Sequence, residues 1–96
     1  MYCVEIFDAG DDPGERQVQT RGQYMRAADA VAAAQEVIEA NLVLSLTAGL
    51  SAADAFNEWR QYGEVPAIVA RGGAAPIQFD PFAFAQKRAQ ELQRRV

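Results

Sequence analysis

Few residues in this chain can do chemistry, and their spacing limits what they do. Histidine is absent, which removes Ser-His, Cys-His and His-metal chemistry. The single cysteine, Cys3, alternates with Val4 in an apolar run. A catalytic thiolate needs a base or a positive field beside it, so Cys3 reads as structural. Asp8, Asp11, Asp12 and Glu15 gather around Gly10, Pro13 and Gly14. A hard cation such as Ca²⁺ takes about six to eight oxygen ligands. The spacing departs from an EF-hand loop, and the closing glutamate is missing from its place. Asp, Gly and Pro are turn formers, so the cluster reads as a turn. An exposed turn also lacks the cleft in which one of two paired carboxylates is held protonated. No Walker A, Rossmann glycine or Cys-x-x-Cys pattern occurs. Arg71-Gly72-Gly73 is one unit of an RGG segment and is better explained as a loop leaving a strand. No catalytic residue, metal or cofactor is expected, and the chain reads as non-enzymatic.

What remains is contact chemistry. Trp59, Arg60 and Tyr62 are types that dominate binding hot spots. Trp59 shares a helical stripe with Ala55 and Phe56, which marks it as a core anchor. Tyr62, at the helix end, is expected half-exposed and available to a partner. Lys87, Arg88, Arg94 and Arg95 lie along the last segment and form a basic helix face, a second candidate for partner contact. Their plainer reading is a solvated face complementing the helix dipole. The run Asn41–Leu50 holds Leu42, Val43, Leu44, Leu46 and Leu50 within ten residues. These cannot share one helical face, and a helix apolar on several sides must be buried on several sides. Either the third strand and the last helix cover this surface or a second chain does; in the second case Leu42, Val43, Leu46 and Leu50 are the self-association residues of a homodimer.

Composition narrows the class. Half of the 96 residues are hydrophobic. Nineteen of those are alanine, which leaves 29 stronger apolar residues for one modest core. That excludes a disordered chain and a disulfide scaffold and favours a single domain over residues 1–96. The net charge is −4, the wrong sign for a nucleic-acid or membrane-surface binder. Residues 80–96 are the exception, with four cations against Asp80 and Glu91; residues 1–79 carry the acidic excess. Eight of nine basic residues are arginine. With abundant alanine this suggests GC-rich, bacterial coding. No signal-peptide pattern opens the chain, and no continuous apolar run reaches the roughly 18 residues of a membrane span. A cytoplasmic location without membrane attachment is the expectation.

The elements that must position these residues follow from periodicity. Residues 2–7 alternate as a strand, with Tyr2, Val4 and Ile6 on one face and Cys3, Glu5 and Phe7 on the other. A polar returning strand is expected over 15–21, ended by Gly22. Val31, Ala34, Ile38 and Leu42 trace a helical stripe from Ala27, continuing through Leu46 to a stop at Gly49. Ser51 caps a second helix over 52–62, with Asp54 three residues on. Gly63 is expected in the left-handed C′ position, and Pro66 bars continuation. Ala67–Ala70 is a short apolar strand of the buried type. Ile77 and Phe79 suit a short extended piece. Asp80 caps a last helix with Pro81 at N1 and a Phe79–Phe84 staple. Phe82, Ala85, Ala89, Leu92 and Val96 form its inward stripe. The order β-β-α-α-β-α implies an α+β domain: a small, mainly antiparallel three-stranded sheet of order 2-1-3 with helices on one face.

These features favour a small protein-interaction or adaptor module acting as a homo-oligomer with an unidentified protein partner. One alternative is a nucleic-acid-associated accessory protein using the basic helix. Another is a ligand-binding sensor with a pocket near Tyr62 and Glu64.

Overall fold

The computed structural model describes residues 1–10 and 17–95. The acidic turn residues Asp11, Asp12 and Glu15 lie outside them, as does Val96 at the end of the last stripe. β1 (Tyr2–Asp8) is the central strand, as its apolar and β-branched residues favour. β2 (Gln19–Tyr24) pairs antiparallel on one side of it and β3 (Glu64–Ala70) on the other, giving the order β2-β1-β3.

Two strand expectations are corrected. Gly22 does not end β2 but lies inside it, opposite Val4, where the register slips between Val4 and Glu5. A bulge absorbs a residue that would otherwise break the ladder. β3 begins at Glu64 and contains Pro66, which sequence rules place outside a strand. The proline is tolerated because β3 is an edge strand, although its composition resembles a central one.

Three helices complete the fold: α1 (Ala27–Thr47), α2 (Ala52–Tyr62) and α3 (Pro81–Gln93). α1 runs to Thr47 as the stripe implied, and Gly49, at φ +100°, occupies the left-handed stop. Ser51 Oγ accepts from Asp54 N at 3.1 Å, and Asp80 Oδ1 accepts from Phe82 N and Ala83 N. Phe79 and Phe84 rings close the staple at 6.0 Å. Residues 71–80 contain no strand. Gly63 is not left-handed, with φ −82°. The glycine is needed there for a different reason. A Cβ at 63 would lie 2.5 Å from Trp59 Cδ1 and 2.8 Å from the Trp59 carbonyl oxygen.

The core forms two clusters. Tyr2 and Val4 pack on Ala30, Ala33 and Ala34 at the start of α1, where alanines allow close helix–sheet approach. Ile38, Leu42, Leu46, Ala55, Trp59, Val65, Ala85 and Leu92 form the larger cluster between the three helices and the sheet's far end. Phe7, expected on the opposite face from Val4, packs against this larger cluster beside its cross-strand neighbour Val65. By length and composition α1 could also cross a membrane. In this fold seven of its residues are buried, with Ile38 and Leu42 at the centre.

Candidate interaction surfaces

Burial sorts the apolar run of α1. Leu42 and Leu46 are buried in the chain's own core, and Leu50 packs partly buried against the same cluster. These three expected self-association residues are therefore used internally. Val43 is exposed, at 40%. The most exposed of the run's large apolar residues is Leu44, at 74%. Helix geometry accounts for it, because two residues turn about 200° and put Leu44 opposite Leu42. That rotation is legible in the sequence and would have singled Leu44 out.

Leu44 has company. Tyr62, at the end of α2, is 73% exposed. The two line a shallow cleft of about 180 Å³ with Asn41, Ser45, Glu58 and the backbone around Gly63. Asn41 Nδ2 donates to the Val37 carbonyl at 2.9 Å and to Glu64 Oε1 at 3.4 Å. The cleft therefore has an apolar lip and one lining carboxylate, Glu58, with Glu64 held beside it through Asn41.

A second groove lies between α2 and α3, about 320 Å³ in volume. Phe56 and Ala52 form its floor, and Asn57, Arg60, Gln86 and Gln90 its polar walls. The Arg60 guanidinium stands 5.7 Å over the Phe56 ring, a cation–π arrangement on the helix surface. Nothing in the residue order points to this groove, because Asn57 and Arg60 meet Gln86 and Gln90 only when α2 packs on α3.

The basic helix face is smaller than its residue list implies. Arg88 turns inward: its Nε donates to Glu39 Oε1 at 2.7 Å, and it also pairs with Glu91. Only 19% of its side chain is exposed, so it ties α3 to α1. Lys87, Arg94 and Arg95 remain exposed, with no carboxylate within 4 Å among the described residues. They do not surround Tyr62, which sits on the α1–α2 cleft.

On the sheet face turned from the helices, Cys3 is buried beneath its neighbours. Arg71 reaches across to Glu5 at 3.3 Å. Interaction with the Cys3 side chain, and then the hydrogen bond to Glu5, holds the Arg71 pKa above its ordinary value. Asp8 and Glu64 face each other across β1 and β3 beside a cavity of only about 80 Å³. Among the described residues no three His, Cys, Asp or Glu side chains are grouped to hold a metal ion. Comparison with protein-family models, curated proteins and solved structures finds no match to this chain.

Proposed function

We propose that the protein is a non-catalytic interaction module and that the α1–α2 face is its contact surface for a protein partner. One observation carries this reading: Leu44 and Tyr62, both about three-quarters exposed, sit together at a cleft. Single exposed apolar residues are ordinary, but a paired leucine and tyrosine beside a concave site suit an anchor. The acidic side of the cleft selects the partner's chemistry. A segment with an apolar side chain flanked by lysine or arginine would complement Glu58, which lines the cleft, and Glu64 beside Asn41. Docking this face on a second copy would instead set the two acidic sides together. The nucleic-acid alternative is weakened by Arg88, whose charge is spent on Glu39. The sensor alternative would need a deeper polar pocket near Tyr62 than a cleft of about 180 Å³ with an open lip.

The test is affinity capture from the source cells with wild-type protein and the double variant Leu44→Asp, Tyr62→Asp. The expected result is one or more proteins retained by wild type and lost by the variant, with the melting temperature unchanged. Capture that is identical for both proteins would overturn the assignment of this face.

A further inference from the structure

Among the described residues, the outer edge of β3 carries specific unpartnered backbone chemistry. Arg71 N donates to the Met1 carbonyl at 2.8 Å, and the Met1 amino group donates back to the Arg71 carbonyl. At the other end Ala9 N donates to the Gly63 carbonyl. With the register Cys3↔Val69 and Glu5↔Ala67, the odd residues of β3 therefore turn their backbone groups toward β1. Those of Glu64, Pro66, Ile68 and Ala70 point away from the sheet. The Glu64 carbonyl is taken by Trp59 Nε1 at 2.9 Å. Pro66 has no N–H to offer. Ile68 and Ala70 each present an N–H and a C=O with no hydrogen-bond partner among the described residues.

From this edge we infer that two copies of the chain join through β3, antiparallel about Val69, into a continuous six-stranded sheet. Ile68 of one copy would face Ala70 of the other, and the reverse, using all four free groups of each edge. The pairing is self-complementary because the two residues are equally spaced from Val69. Pro66 limits it to the second half of the strand, since pairing further back would meet a missing donor. The side chains suit the match. Val69 meets Val69 on the open face, with the half-buried Ala67 nearby. Opposite Ala67 would come the second copy's Arg71, one strand from Glu5. Glu5 already attracts its own Arg71, and the second copy's guanidinium would supply the same charge. The polar edge of β2, by contrast, is exposed along Gln19, Thr20 and Arg21 and bent by the bulge, features that deter pairing. This surface is distinct from the α1–α2 cleft, so either assignment can fail without the other.

Light scattering coupled to size exclusion, at micromolar to submillimolar loading, tests the inference. Wild type is expected at twice the 10.5 kDa chain mass. Val69→Lys and Val69→Glu should each be monomeric, because like charges would face each other across the axis. Mixing the two should restore a dimer containing one of each. Ala70→Pro removes one outward donor per copy and leaves the β1 ladder intact. It should weaken association by roughly tenfold or more. Leu44→Asp should leave the dimer unchanged. A monomeric wild type overturns the inference. So does a dimer that survives both Val69 charges and Ala70→Pro, or one that Leu44→Asp dissolves.

Discussion

At the scale of single residues, Trp59 and Leu44 show why residue type alone decides little. Both are large and apolar, and both sit on helices that touch at the same cleft. Trp59 is 2% exposed, packs at 5.4 Å from Phe82 and at 6.2 Å from Phe56, and donates its indole N–H to Glu64. Removing it empties the middle of the larger cluster and strips the Glu64 carbonyl of its donor. Trp59→Ala is therefore expected to cost about 3–5 kcal/mol in urea denaturation, a large part of the roughly 5–15 kcal/mol that holds a domain together. Trp59→Phe should cost less, because most of the ring volume stays and the loss is the hydrogen bond plus a small cavity. Leu44→Asp removes a side chain that touches mainly water and should stay within about 0.5 kcal/mol of wild type. Equal losses at the two positions would contradict the division between core and contact surface.

At the scale of elements, the decisive contact is the docking of α3 on α1. Ala85 and Ala89 bring the helices close, and Arg88 reaches over to Glu39 where both side chains are largely shielded from water. Arg88→Met keeps the aliphatic stem but leaves Glu39 without its partner, a loss expected at about 1–2 kcal/mol. Lys87→Met, one position away and exposed, should be neutral. Thermal melts of the two variants, at low and high salt, measure the difference. The helices themselves were legible. Ser51 and Asp80 announce starts, Gly49 an end, and the Ile38–Leu42–Leu46 stripe an inward face, all because caps and periodicity are local. The surface roles were less legible. Arg88 looks in sequence like its exposed neighbours, and only the position of Glu39, on a helix far away in the chain, makes it a tether. Gly63 has the sequence look of a left-handed cap, whereas close approach to Trp59 is what requires it. Pro66 looked like a barrier before a strand, because nothing local reveals that its strand lies at an edge. Leu44 was within reach of sequence reasoning, since the same rotation that buries Leu42 exposes it.

At the scale of the whole molecule, the question is whether one chain is the folded unit. A three-stranded sheet with an apolar edge and an alanine-rich core leaves free energy unclaimed at that edge. If β3 pairs with a second copy, folding and association are linked, and the melting temperature rises with protein concentration. Each tenfold increase adds about 1.4 kcal/mol per dimer, or about 0.7 kcal/mol per chain. For a domain of this size that moves the midpoint by roughly 3–5 °C. Val69→Lys should flatten the dependence while still folding, because the side chain lies on the sheet face away from both core clusters. Salt gives an independent sign. Each copy carries −4, so two copies repel at long range, and screening that repulsion should tighten the dimer between low and moderate ionic strength. Association driven by the exposed cations of α3 on a polyanion would weaken steeply over the same range. Differential scanning calorimetry over two decades of concentration, repeated at two salt concentrations, separates the two. A midpoint independent of concentration would make the single chain the complete folded unit and leave the β3 edge unpaired.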